Sequence, residues 1–439
     1  MSPKTKSDIQ LLGILIVFSI ILHFLFNYLN NRFSSTGVAT MLHLVQNVIY
    51  VFLLLLAILS LSYKRLWQPS LLSKATGKIV FALCMLTIAS VSYKLFAIYD
   101  QANAMYAYFK QPWIGLEGRI FQSDDLMGYR PVPNSKGFHT YSISKNIEGK
   151  CPIYLDENGF RVPEKKATFM QNDTTNLFLG CSFTWSDFNS AEESYPYLVS
   201  ELLGNNYNNA GVSGYGLCQM LLRAEELTQQ KKYKYIFVQY SGWLINRATQ
   251  KYGELVYGYR PFPYVAKGDS GNYIHPALFK ASVYDVPREP FKKSPRSISD
   301  KLEFFYKIAY PVLLKDYLKK LYCDIAIFAG IYPEANTDRV DVVKYFYTEF
   351  SKICRRNGAQ MVVVRLLNNT PEDKIMIKEI EKIPDVIIVD TDTVLNSLIT
   401  NGDRFLLTGK NMYTTTYGHT VIANGKDTIM YDAHYNYHA

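Results

Sequence analysis

Charged residues are missing from long stretches at the front of the chain. No charge falls between Ile9 and Asn31, and the run LLGILIVFSIILHFLF is apolar enough to cross about 30 Å of hydrocarbon as a helix. A second charge-free run, Phe33 to Tyr63, is long enough to span again, and the short loop around Asn31 to Thr40 would join the two as a hairpin. The third run, Ile79 to Tyr93, is shorter and reaches spanning length only if it continues through LFAIY to Tyr99 with Lys94 snorkelling to the interface. Three transmembrane helices within residues 1–105 are therefore expected. Lys4 and Lys6 precede the first run and Lys64, Arg65, Lys74 and Lys78 lie between the second and third, so the basic side is cytoplasmic. An N-terminus inside and three crossings predict a cell (inner) membrane protein whose remaining residues are extracytoplasmic, in the periplasm of a bacterium with two membranes. The first apolar run is too long for a cleavable signal and lacks a small-residue cleavage site.

The pattern then changes twice. Residues 106–175 hold Gly, Pro, Asn and short β-prone pieces such as TYSIS and PIYLD without helical periodicity, and read as a leader packing on the domain that follows. From Asn176, short apolar runs alternate with helical patterns. The strands expected are NLFLG (176–180), NNYNNAG (205–211), YIFVQY (235–240), QMVVVRLL (360–367) and DVIIVD (385–390). The helices expected are EESYPYLVSELL before Gly204, LCQMLLRAEELTQQ, and VDVVKYFYTEFSKICRRN closed by Gly358. That alternation predicts an α/β fold with a central parallel sheet and covering helices. Residues 250–335 break the rhythm as an insertion, with a helical pattern at KIAYPVLLKDYLKKL.

Composition narrows the function classes. The 439 residues are 48% hydrophobic and 15% aromatic, which excludes a disordered, collagenous or disulfide-scaffold chain. The net charge of +9 is spread as isolated Lys and Arg without a basic stripe, so no nucleic-acid partner is expected. The six cysteines form no CxxC and no His sits at metal spacing, so neither a metal nor another cofactor is expected. One disulfide and buried reduced thiols both remain open.

Candidate chemistry centres on Gly180-Cys181-Ser182-Phe183-Thr184, directly after the first strand of the α/β region. A Ser on a strand-to-helix turn presents its hydroxyl at the C-terminal edge of a parallel sheet, where sites in open α/β folds form. A serine hydroxyl needs a base. Among seven His, only His434 has a carboxylate two residues away, Asp432, where an extended backbone points both side chains to one side; His438 is the other candidate base. Asn209-Ala210-Gly211-Val212-Ser213-Gly214-Tyr215-Gly216 follows the second strand and has glycines enough to bring backbone N–H groups close to a ligand. Taken singly, each feature has a plainer reading: a turn, a loop needing positive φ, a polar surface tail.

Taken together and in this order, they resemble the SGNH/GDSL hydrolase superfamily over residues 176–439, apart from the insertion at about 250–335. The resemblance implies a flavodoxin-like three-layer α/β/α domain. It implies Ser182 as nucleophile, Asp432 and His434 as the other members of a catalytic triad, and the amides of Ser182 and Gly214 as the oxyanion hole. Cys181 stands where the family usually has Asp, and Asn158-Gly159-Phe160-Arg161 resembles a leader seen in some members. The third block departs from the pattern: Tyr240-Ser241-Gly242-Trp243-Leu244 offers no Asn before Asn246. The activity implied is an esterase or O-acyltransferase acting on ester bonds. The expected substrate is an O-acyl, in particular O-acetyl, ester of a cell-envelope or secreted polysaccharide, and the expected partners are the bilayer and an acylated glycan. The alternatives are an O-acyltransferase supplied by a multispan acyl-exporting partner, and a catalytically silent glycan-binding or assembly protein.

Overall fold

The computed structural model describes residues 102, 115–117, 120–144, 147–165, 173–187, 189–255, 258–285, 307, 309–366 and 370–391. The three apolar runs expected to span a membrane lie outside these residues. Among the described residues, no helix is long and apolar enough to cross a membrane. The chain divides into two compact units, Met1–Asn103 with Ala309–Glu334, and Ala104–Ile308 with Ala335–Ala439.

In the second unit the leader forms β1 (Gly115–Glu117), β2 (Phe121–Asp124), β3 (Gly128–Pro131), β4 (Lys136–Ser144), β5 (Ile147–Leu155) and β6 (Arg161–Val162). Strands β1, β4, β5 and β6 pair antiparallel as one sheet, and β2 and β3 form a separate hairpin.

The α/β region opens with β7 (Thr175–Leu179), every residue of which is buried. A strand covered on both faces is central in a parallel sheet, and that is why it reads as a continuous apolar run. A four-residue helix, α1 (Ser182–Trp185), follows, then α2 (Tyr195–Leu203). Ser194 caps α2 by accepting from the Tyr197 N–H, Pro196 lies in its first turn, and Gly204 ends it at φ +62°. Next come β8 (Asn206–Asn209), α3 (Leu217–Gln230), β9 (Tyr235–Tyr240) and α4 (Gly242–Ala248). The insertion contributes two hairpins, β10 (Tyr252–Leu255) with β11 (Gly258–Pro261) and β12 (Tyr264–Gly268) with β13 (Gly271–His275), and the helix α5 (Tyr310–Phe328), which belongs to the other unit. The α/β pattern resumes with α6 (Arg339–Asn357), β14 (Gln360–Arg365), α7 (Pro371–Glu381) and β15 (Val386–Asp390). Asp338 accepts from the N–H groups of Val340 and Asp341 at the start of α6, and Gly358 closes it at φ +77°.

The five strands form one parallel sheet in the order β15-β14-β9-β7-β8. From β7 the chain crosses to β8 on one side, then returns past β7 to β9 and continues outward to β14 and β15. The direction reverses between β7 and β9, a topological switch point, and the crevice beyond the C-terminal ends of those strands is where open α/β sheets bind ligands. On one face Leu177, Leu179, Ile236, Val238, Met361 and Val363 pack with residues of α3, α4, α6 and α7. On the other, Phe178, Phe237, Val362 and Val364 form a cluster against which Tyr195, Tyr197 and Val199 of α2 lie. All five described cysteines are free and buried, so no disulfide forms among them.

Candidate active site

Gly180 follows β7 at a point where a side chain has no room. A Cβ there would lie 1.9 Å from Thr184 Oγ1 and 2.5 Å from Gln239 Oε1. Cys181 then occupies the cap position of α1, and Ser182 is its first residue. The helix stops after one turn because Ser186 adopts φ +65°, and the Asp187 N–H donates to the Ser182 carbonyl at 3.0 Å. Ser182 is 7% exposed, and its hydroxyl points to Cys181 Sγ at 3.8 Å. The sequence-predicted nucleophile therefore stands at the C-terminal end of β7, on the switch-point edge.

The residue that organises this turn is Gln239, fully buried near the end of β9. Its Oε1 accepts from the Cys181 N–H (3.0 Å) and from Thr184 Oγ1 (2.9 Å). Its Nε2 donates to Cys181 Sγ (3.2 Å) and Ser241 Oγ (3.0 Å). Both ends of the amide are thus committed to holding the β7 turn against β9. The signal in the sequence was a single amide inside the apolar run YIFVQY, since a buried polar group requires partners.

Cys181 is the most unusual group of the turn. Trp243 Nε1 donates to its sulfur at 3.4 Å, beside Gln239 Nε2. Burial opposes ionisation of this thiol, yet the Arg247 cation and the N–H groups of Trp243, Phe183 and Gln239 outweigh it and hold the thiol below its ordinary value. Arg247 is itself anchored, donating to the Tyr215 carbonyl at 2.9 Å.

The glycine loop after β8 is laced to the Ser182 turn. Asn209 Nδ2 donates to the Thr184 carbonyl (2.8 Å), and the Val212 N–H donates to the Gly180 carbonyl (3.1 Å). Ser213 Oγ donates to Asp187 Oδ2 (2.9 Å). Gly211 passes so close that a Cβ would lie 2.7 Å from the Trp185 amide nitrogen. Gly214 adopts φ +84°, in the left-handed region, and a Cβ on it would lie 1.7 Å from Arg260 Nη1 and 2.7 Å from Tyr129 Oη. Glycine is required there for both reasons. Arg260, from β11 of the insertion, lies over the Tyr129 ring at 5.3 Å, and the Tyr129 hydroxyl donates to the Ser213 carbonyl at 2.9 Å. Burial raises the Tyr129 pKa, with Arg260 and Arg247 opposing the rise. Sequence reasoning missed Arg260, because nothing in YGYRPFPY marks it as a neighbour of a glycine in a distant loop.

The leader reaches the same turn through Arg161 of β6. This guanidinium is wholly buried and donates to the carbonyls of Trp185, Ser186 and Asn189, and to that of Pro152 at 3.4 Å. It also lies 5.6 Å from the centre of the Trp185 ring. The backbone just after Ser182 is thus held by carbonyl acceptors gathered on one cation. Burial lowers the Arg161 pKa, with Asp187 opposing.

The structure brings Ser182 and the Gly214 loop together at one edge. Asp432, His434 and His438 lie outside the described residues. After β9, Ser241 Oγ bonds the carbonyls of Tyr240 and Leu366, Trp243 bonds Cys181, and Asn246 is exposed on α4, so no Asn of that turn serves the site. His275 stacks on Tyr264 with ring centres 5.0 Å apart and lies beside the Pro276 carbonyl. Among the described residues, no group of three or more His, Cys, Asp or Glu could hold a metal ion. No protein-family model matches the chain, and no curated protein matches it.

Proposed function

We propose that the chain is a serine-dependent ester hydrolase of SGNH type, anchored in a membrane by its N-terminal apolar runs and acting on O-acyl, in particular O-acetyl, esters of a cell-envelope or secreted polysaccharide. The observation that carries this reading is the Ser182 turn at the switch point, laced by three hydrogen bonds to a loop whose Gly214 adopts φ +84°.

In this reading Ser182 Oγ attacks the ester carbonyl carbon while His434 takes its proton and Asp432 orients the imidazole. The carbonyl electron pair moves to oxygen, and the amides of Ser182 and Gly214 receive the oxyanion. Collapse expels the sugar oxygen, which takes the proton from His434 and leaves an acyl-Ser182. Water then attacks the acyl group with His434 as base, releasing the carboxylic acid and free serine. Arg260, packed against Gly214, supplies positive charge beside that loop. Cys181, Gln239 and Arg161 act through the turn, as positioning residues.

The test is fluorophosphonate labelling of the full chain in detergent, with peptide mass mapping of the adduct. The expected result is one adduct on Ser182 that disappears in His434→Ala. Ser182→Ala is expected to lower ester hydrolysis by about 10⁶-fold. An unlabelled, folded chain would overturn the hydrolase and leave a silent glycan-binding protein. Acyl transfer to a glycan hydroxyl in preference to water would assign the same triad to an O-acyltransferase.

A further inference from the structure

Six large apolar side chains between residues 314 and 331 are turned outward: Leu314, Leu318, Tyr322, Ile325, Phe328 and Ile331, each between 46% and 67% exposed. Their spacing of four and three residues draws one stripe along α5 and just past its end. Leu314 to Phe328 alone covers about 21 Å at the helical rise.

The opposite side of the same helix is hidden and mixed, with Leu313, Cys323, Ala326 and Ile327 beside two aspartates. Asp316 is 0% and Asp324 1% exposed, and Lys320 Nζ meets Asp324 Oδ2 at 2.7 Å. The helix thus withdraws its carboxylates while turning a continuous strip of hydrocarbon outward. Water disfavours that arrangement by about 25 cal/mol for every Å² of apolar surface left exposed. A medium of hydrocarbon reverses the sign, and buried ionisable groups then face the protein, as they do in membrane proteins.

Two further features select a bilayer as the occupant. Ala309–Glu334 belongs to the same compact unit as Met1–Asn103, the stretch whose sequence carries the three apolar runs. Lysines also edge the stripe: Lys315 is exposed and Lys319 half-buried, while the helix's two carboxylates are withdrawn. That is the charge arrangement that suits anionic headgroups beside an apolar strip. The helix itself is not apolar enough to cross, so contact is along its length.

We propose that the outward face of α5 lies in a bilayer interface, with Leu314, Leu318, Tyr322, Ile325 and Phe328 among the acyl chains and Lys315 and Lys319 at the headgroups. The inference concerns a surface apart from the candidate active site and does not rest on its chemistry.

The experiment uses the full chain reconstituted in vesicles of phosphatidylcholine and phosphatidylglycerol. A fluorescent bimane is attached at Leu318→Cys and, as reference, at Lys352→Cys on the exposed side of α6. Because the five described native thiols are buried, the parent chain treated in the same way gives the labelling background. Brominated acyl chains are expected to quench the 318 label severalfold more than the 352 label, and aqueous iodide to quench in the reverse order. Iodide quenching at 318 equal to that at 352 would overturn the proposal, since the face would be in water. Protection from both quenchers would also overturn it, showing protein, such as a second copy of the chain, over the stripe. Tyr322→Cys repeats the measurement if the first variant folds poorly.

Discussion

The parallel-sheet domain and the segment around α5 obey one physical rule with opposite outcomes. In the sheet domain the strands β7, β9 and β14 are almost wholly buried and helix α6 turns Val342, Val343, Phe346 and Phe350 inward, all 0% exposed. Along α5 the buried positions include Asp316 and Asp324 beside Leu313 and Ile327, and most of the open ones are Leu, Ile, Phe and Tyr. Apolar side chains leave water in both regions if the stripe meets lipid, and the difference teaches that burial must be read against the solvent each surface faces. A second difference is chemical. The C-terminal edge of the sheet gathers Ser182, Cys181, Gln239, Arg260 and Arg161, whereas among the described residues the 309–334 segment gathers no comparable set.

The largest test of this contrast is a matched pair of truncations. Phe346→Ala removes a fully buried ring and is expected to destabilise the sheet domain by about 3–5 kcal/mol, read as a fall in the urea midpoint at unchanged slope. Leu318→Ala, half exposed, is expected to stay within about 0.5 kcal/mol in the same detergent-solubilised measurement. Equal losses would show that the stripe is packed on protein and would remove the comparison.

Somewhat smaller is the expected effect of Arg260→Gln. If the guanidinium stabilises developing negative charge beside Gly214, kcat for ester hydrolysis falls by about 10²–10³, equivalent to about 2.7–4 kcal/mol, with KM little changed. A rise in KM at constant kcat would instead make Arg260 a binding group for the substrate. Arg260→Lys, which keeps the charge, is expected to recover part of kcat.

The smallest effect is alkaline. Burial pushes the Cys151 and Cys354 thiols up to about 12 from an ordinary value of 9.0. Their neutral forms are favoured in the folded chain, so the stability they contribute is complete below pH 9 and is lost as pH rises from 9 towards 12. The urea midpoint of the sheet domain is expected to decline across that window, and less steeply in Cys354→Ala, measured relative to its own value at pH 8. Alkylation of these two thiols in the native chain at pH 10 is expected to be far slower than in the unfolded chain, whose thiols are largely ionised by then.

Much of the domain was legible in advance. Every expected strand of the sheet is present, and β9 spans the six residues of YIFVQY. Such strands betray themselves because burial on both faces demands apolar side chains at every position. The helix ends at Gly204 and Gly358 were equally readable, because a left-handed residue after a helix is cheapest for glycine. Ser182 and Gly214 could be named from their places after β7 and β8. Cys181 appeared only as a departure from a motif, and Arg161 only as part of Asn158-Gly159-Phe160-Arg161, with no hint of the three carbonyls it holds in the turn after Ser182. The outward apolar stripe of α5 was also hidden. Its sequence shows a helix, but which face is turned outward depends on what packs against it.

By itself, then, the sequence determined the local elements, their order and the positions where a hydroxyl and flexible backbone would meet a sheet edge. Those are set by side-chain period, capping and backbone sterics, which act over a few residues. Only the tertiary structure decided that Gln239 clamps Cys181 from 58 residues away, that Arg161 reaches Trp185 across 24, and that Arg260 closes on Gly214. Such contacts depend on which strands pair and which loops fold back, and hydrogen bonds between distant segments leave no period in the chain.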